Sequence, residues 1–82
     1  MKIIKKQPSP TILCRPKDMN KDQQQQSIDW LINNHTLLEL EERRGLLFVQ
    51  LSVAREKSMQ TAIDNLEMMI SIEKRAIAKV RI

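Results

Sequence analysis

Apolar residues recur at helical spacing through the second half of the chain. From Ser58 onward they return every three or four residues, and in a helix they would cover about half of the circumference at about 100° per residue. Their positions are Ala62, Ile63, Leu66, Met69, Ile70, Ile72, Ala76, Ile77 and Val80. Because a single two-stranded seam needs only a narrow stripe, this pattern predicts a helix that contacts two neighbours.

A shorter helical pattern precedes this one. Asn20 and Gln23 have the spacing of a capping box, in which each residue satisfies a backbone N–H of the other at a helix start. The apolar face that follows has i, i+3, i+4 spacing and consists of Ile28, Leu31 and Ile32. The Asn-Asn-His segment 33–35 is typical of a helix end. The sequence therefore predicts a short helix over about 21–33.

A second capping box starts the next helix. Thr36 and Glu39 have the required spacing, and helical residues continue to about 80. Gly45 either lies inside this helix, at a cost of about 1 kcal/mol relative to alanine, or ends a first piece of it. Because the link between the two elements is short, we expect an all-α helical hairpin whose second helix, over about 36–80, is either continuous or broken.

Residues 46–53 leave an alternative open. As a helix this segment is apolar almost all the way round, which is typical of the centre of a bundle or dimer. As a strand, Leu47, Val49, Leu51 and Val53 alternate well. An α+β fold with strands near 11–15 and 46–53 is therefore the alternative to the all-α fold.

Composition favours helices and a small core. The chain has 82 residues, one glycine, one cysteine and two aromatic residues. Its length limits it to one domain, and its single cysteine excludes an intrachain disulfide. No apolar stretch approaches the roughly 20 residues of a membrane span, and no signal peptide is evident. We expect a cytoplasmic protein. Residues 74–82 alternate basic and apolar side chains as membrane-surface helices do, but they contain no aromatic residue, so membrane attachment is the weakest of the hypotheses.

Charge and proline divide the chain into two parts. Residues 1–20 form an extended, basic, proline-containing arm, and residues 21–82 form a helical interaction domain. The net charge of +4 is distributed as +4 over residues 1–20, −4 over residues 21–73 and +4 over residues 74–82. Lys and Arg at the end of the last helix complement its dipole, whereas the arm has bases that could contact phosphates.

Catalytic chemistry is not evident in the sequence. His35 is the single histidine, and Cys14 is the single cysteine and has no histidine near it. Ser27 and Asp29 point about 200° apart on one helix and cannot converge. With one glycine the chain cannot form a phosphate-binding loop. We expect no enzyme activity, no cofactor, no metal and no small-molecule substrate.

The wide apolar face of the last helix instead points to association. In a hairpin one short helix cannot cover it, so a homodimer, coiled coil or heterologous protein partner is expected. Trp30 is an additional anchor candidate because tryptophan is enriched in binding hot spots. The predicted interface or core residues are Trp30, Leu47, Leu51, Leu66, Met69, Ile70 and Ile77.

Two functions follow from these patterns. The first is a small non-catalytic helical protein that binds a larger protein and modulates it, as an inhibitor, adaptor or assembly subunit, of the kind common among phage and mobile-element products. The alternative is a nucleic-acid-binding regulator, a helical dimer that contacts phosphates through its basic arm and its basic C-terminus. The arm residues that would make those contacts are Lys2, Lys5, Lys6, Arg15 and Lys17.

Overall fold

The computed structural model describes residues 14–81. Over that range the chain forms a 3₁₀ turn, Pro16–Asp18, followed by helices α1 (Lys21–Asn34), α2 (Leu37–Glu56) and α3 (Gln60–Arg81). No strand occurs among these residues, so the all-α prediction is confirmed. None of the helices within residues 14–81 combines the length and the apolarity needed to cross a bilayer.

Both predicted capping boxes form. At the start of α1, the Gln23 N–H donates to Asn20 Oδ1 (2.8 Å) and the Asn20 N–H donates to Gln23 Oε1 (3.0 Å). At the start of α2, the Glu39 N–H donates to Thr36 Oγ1 (3.2 Å) and the Thr36 N–H donates to Glu39 Oε1 (3.0 Å). These bonds satisfy backbone donors that a helix start leaves without partners, and they fix where each helix begins.

The strand alternative is wrong for residues 46–53, which lie inside α2. A strand would bury Leu47, Val49, Leu51 and Val53 on one face, but the structure buries only the two leucines and exposes the two valines. Burial at Leu47, Leu51 and Ala54 follows helical spacing. Of the second proposed strand, residues 11–13 lie outside the described residues, and so does most of the predicted arm.

The long element predicted over about 36–80 is broken, and the break is not at Gly45. It lies at residues 57–59, where Ser58 has a left-handed φ of 55°. The Met59 N–H donates to the Ala54 carbonyl (3.0 Å) and the Ser58 N–H donates to the Arg55 carbonyl (3.1 Å). This pair of bonds is a Schellman motif, which ends a helix and lets the chain reverse. The hairpin thus becomes an arrangement of three helices.

Helix α3 lies between the other two helices. Arg43 pairs with Glu73, whereas Arg55, later in α2, pairs with Glu67, earlier in α3, so α2 and α3 are antiparallel. One apolar cluster joins α1, the start of α2 and the end of α3, and consists of Ile28, Leu31, Leu40, Ile72, Ala76 and Ile77. A second cluster joins the later part of α2 to α3 and consists of Leu47, Leu51 and Ile70, with Ile63, Leu66 and Met69 packed against it.

This packing corrects one premise of the association argument. The wide apolar face of α3 is covered by α1 on one side and α2 on the other, within a single chain. The break at Ser58 supplies the additional helix that a hairpin lacked. The α3 face therefore gives no reason to expect a second copy of the chain. A surface for a partner would have to lie elsewhere on the molecule.

Candidate protein-docking surface

Helix α2 is apolar on two opposite sides. Its inner side faces α3 and buries Leu40, Leu47, Leu51 and Ala54. The opposite side faces solvent. We call this surface the outer face of α2, and its large apolar side chains are Leu38, Leu46, Val49 and Val53. An amphipathic helix of a monomer needs only one apolar side, so packing of the chain's own core does not account for the apolar residues of the outer face.

The large apolar side chains on the outer face of α2 are largely exposed to solvent. Leu38 is 66% exposed, Leu46 64% and Val49 62%, while Val53 is 45% exposed. Leu46, Val49 and Val53 follow one another at i, i+3 and i+7, so they form a continuous stripe. Scattered exposed apolar residues need no explanation, but a contiguous rimmed patch is typical of an interaction site.

Gly45 lies on this outer face without a backbone reason for being glycine. It is inside α2, its φ is not positive, and a Cβ added at this position would have no neighbouring atom within 4 Å. Glycine inside a helix costs about 1 kcal/mol relative to alanine. What a missing side chain provides here is room for the close approach of another backbone.

Charged residues of both signs lie near the ends of the apolar stripe. Glu42 and Glu56 are exposed, and each is seven residues from Val49, so all three share one side of the helix. Lys57 is also exposed and follows Val53 by four residues, so it lies beside the same end of the stripe as Glu56. At 1.5 Å per residue the two acids are separated by about 21 Å along the axis. The stripe of Leu46, Val49 and Val53 thus has an acid at its N-terminal end and both an acid and a base at its C-terminal end.

A second surface feature is the groove between α2 and α3. It has a volume of about 400 Å³ and is lined by Phe48, Leu51, Arg55, Glu67, Ile70, Ser71, Lys74 and Arg75. Lys74 Nζ lies 5.3 Å from the centre of the Phe48 ring. Arg55 and Glu67 approach to 3.5 Å, but both are largely exposed, so this ion pair contributes little.

The predicted interface or core residues lie in the chain's own core. Leu47, Leu51, Ile70 and Ile77 are buried, and Leu66 and Met69 are half-buried against the second cluster. Trp30 is half-buried against the first cluster and meets the His35 ring edge-on at 5.2 Å between centroids. Sequence reasoning missed the outer-face residues Leu38, Leu46, Val49 and Val53, although the all-round apolar character of 46–53 was the available signal.

The candidate nucleic-acid contacts are only partly described. Arg15 and Lys17 are exposed, whereas Lys2, Lys5 and Lys6 lie outside the described residues. At the end of α3, Arg75 donates to Gln24 Oε1 (2.6 Å) and Arg81 donates to Glu41. These two bases of the C-terminal group therefore hold α3 to α1 and α2, in addition to complementing the helix dipole.

The groups with reactive potential do not converge. The Cys14 thiol donates to Gln23 Oε1 (3.3 Å) at the start of α1. His35 Nδ1 lies 3.3 Å from the Leu31 carbonyl oxygen at the end of the same helix. Within residues 14–81 no group of three or more His, Cys, Asp or Glu side chains is placed to hold a metal ion.

Comparisons with known proteins give no likeness to build on. The chain matches no protein-family model, no curated protein and no solved structure at a significant level. Function is therefore inferred from the geometry of the chain itself, and the outer face of α2 is its most distinctive surface.

Proposed function

We propose that this chain is a small non-catalytic helical protein that binds a larger protein and modulates it, as an inhibitor, adaptor or assembly subunit, and that the outer face of α2 makes the contact. The observation that carries the proposal is the exposed stripe of Leu46, Val49 and Val53 on a helix whose other side already completes the core. Burying apolar surface at about 25 cal/mol per Å² is the main driving force for protein association.

The chemistry of the surface favours a protein over a nucleic acid. The stripe is apolar, and the charged residues beside it, Glu42, Glu56 and Lys57, include two acids that would repel a phosphate backbone and form no basic patch. Nucleic-acid binding through the arm stays the alternative, and its signature would be a steep loss of affinity with salt.

The test compares a substitution on the stripe with one on another helix. Val49→Asp places a charge in the middle of the stripe, and Gln26→Asp places the same charge at an exposed position of α1. Neither residue is buried, so both variants should keep the helical circular dichroism and the unfolding midpoint of the native chain within about 0.5 kcal/mol.

Affinity-tagged full-length protein and both variants are used to recover partners from cells that express the chain, with and without nuclease. The proposal expects one stoichiometric protein that survives nuclease, is recovered with Gln26→Asp and is lost with Val49→Asp. A partner set that Val49→Asp leaves intact would refute the proposal. Loss of all bound material on nuclease treatment would favour the nucleic-acid alternative.

A further inference from the structure

Contacts across the groove between α2 and α3 recur at a regular spacing. On each helix the residues that make them are seven positions apart, and because the helices are antiparallel they form three successive pairs. The pairs are Glu41 with Arg81, Phe48 with Lys74, and Arg55 with Glu67. In both outer pairs a cation faces a carboxylate, whereas in the central pair it faces an aromatic ring.

The central pair therefore holds a positive charge that no carboxylate compensates. Lys74 Nζ lies 5.3 Å from the centre of the Phe48 ring and forms no ion pair within residues 14–81. Lys74 is exposed and Phe48 is 44% exposed, so a ligand can reach both side chains. The pair presents an ammonium group and an apolar ring at the same place.

Two further cations add to the positive charge around this pair. Arg75 lines the same groove and donates to Gln24 Oε1, which is a neutral acceptor and leaves the guanidinium charge uncompensated. Arg44 precedes Phe48 by four residues, so it lies beside it on the surface of α2, and it forms no ion pair in the described part of the chain. The carboxylates of the two outer pairs each already face an arginine. The middle of the groove is thus a basic surface within a segment, 21–73, whose net charge is −4.

We infer that the middle of this groove binds an acidic peptide segment of another protein. The carboxylates of the segment meet Lys74, Arg75 and Arg44, and a bulky apolar side chain next to them covers the exposed ring of Phe48. The groove volume of about 400 Å³ lies within the range of ligand-binding clefts. Because Phe48 and Val49 point about 100° apart on α2, this site is separate from the outer face and goes beyond the proposed function.

A short acidic segment fits the groove better than a nucleic acid does. The outer pairs place a carboxylate about 10 Å to either side of the central pair, at seven residues and 1.5 Å per residue. A phosphate backbone continues past this length with a charge on every nucleotide, so it would meet both carboxylates. Acids confined to a few residues of a peptide would not. Nucleic-acid grooves also stack successive bases on several aromatic side chains, and this groove offers one ring.

Peptide selection tests the inference. A display library of short random peptides is selected against the full-length protein and counter-selected against a variant that carries Phe48→Ala and Lys74→Gln. Enriched peptides are then titrated by fluorescence anisotropy. The inference expects at least two Asp or Glu residues next to a bulky apolar residue. Enrichment of basic or uncharged peptides, or of none that discriminates the double variant, would overturn it.

A second lysine of α3 provides the matched control. Lys74→Gln should weaken an enriched peptide about fivefold, because it removes one cation from the site. Lys79→Gln removes the same charge from an exposed lysine about 140° around the helix and should leave the affinity within twofold. Both residues are exposed, so circular dichroism should show the native helix content in both variants. Equal effects of the two changes would mean that only net charge matters, which contradicts the inference.

Two further titrations separate this site from its rivals. Val49→Asp should leave the affinity of an enriched peptide within twofold; loss of binding would assign the peptide to the outer face and overturn the inference. A single-stranded oligouridylate should bind more weakly than the peptide. Tighter binding of the oligouridylate that Lys74→Gln reduces would assign the groove to nucleic acid instead. Neither result bears on the proposed function, which depends on the cellular partner that Val49→Asp loses.

Discussion

Replacing Arg43 should destabilise the fold more than its surface position suggests, because Arg43 is the partner of a buried carboxylate. Glu73 is 3% exposed in α3, where it interrupts the apolar face that meets α2. The Arg43 Nε–H donates to Glu73 Oε1 at 2.9 Å. The second oxygen, Glu73 Oε2, is buried and accepts no hydrogen bond. Arg43 is thus the one ion-pair partner that Glu73 has within residues 14–81.

The size of the expected loss of stability follows from the burial of Glu73. Breaking a fully buried ion pair by removing one partner costs roughly 3–5 kcal/mol, because a charge is left buried without compensation. The Arg43 side chain is 43% exposed, so water can partly replace it, and we expect a loss of about 2 kcal/mol for Arg43→Met. Methionine is chosen because it retains an apolar stem of similar length.

Removing both charges should restore stability. Arg43→Met combined with Glu73→Met leaves no buried charge, and replacing such pairs with apolar residues is often neutral or stabilising. The double variant should therefore be at least as stable as the native chain, so the effects of the single changes should not add. The pair would then specify the register of α2 against α3 more than it stabilises the fold.

Urea unfolding followed by circular dichroism at 222 nm measures these differences. Arg55→Met is the control, since it breaks the exposed 3.5 Å pair with Glu67 and should cost less than about 0.5 kcal/mol. If Arg43→Met costs no more than this control, or if the double variant is less stable than either single variant, the buried-charge reasoning is wrong.

Five further substitutions, at four positions, test other parts of the account by the same unfolding assay. Gly45→Ala should raise the free energy of unfolding by about 1 kcal/mol, because a Cβ at this position meets no atom. It should also weaken partner binding if another backbone approaches Gly45. A lower free energy of unfolding would contradict the open environment of this position. Ser58→Gly should raise the free energy of unfolding by up to about 1 kcal/mol by relieving a φ of 55°, whereas Ser58→Val should lower it. Equal stabilities of the two variants would exclude backbone strain at the break. Leu51→Ala should lower the free energy of unfolding by about 2–5 kcal/mol, while Val53→Ala on the outer face should change it by less than about 0.5 kcal/mol. Similar losses would mean that Val53 also contributes to the packing of the core.

The helix starts can be predicted from sequence because their signals are local. Asn20 with Gln23 and Thr36 with Glu39 each satisfy backbone groups within four residues, so no tertiary contact is needed to place them. The break at Ser58 cannot be predicted in this way. A glycine would have marked it, but serine carries no such signal and adopts the left-handed conformation under the packing of α2 on α3.

The outer face of α2 could not be predicted because the pattern of residues 46–53 is ambiguous. Residues 46–53 are apolar almost all the way round in a helix, so the pattern shows that two sides can be buried but not which side meets α3. The structure resolves this by burying Leu47 and Leu51 and exposing Val49 and Val53. Residues predicted as interface or core, such as Ile70 and Ile77, therefore lie in the core.

The central claim, that the outer face of α2 is where a protein partner binds, is tested most directly by position-specific photo-cross-linking in the cells that express the chain. A benzophenone side chain is placed at Val49 of α2 in one full-length variant and at Gln26 of α1 in another, both exposed positions. The account predicts a single protein adduct from position 49 and little or none from position 26. Equal adducts from both positions, or an adduct from position 26 alone, would contradict it.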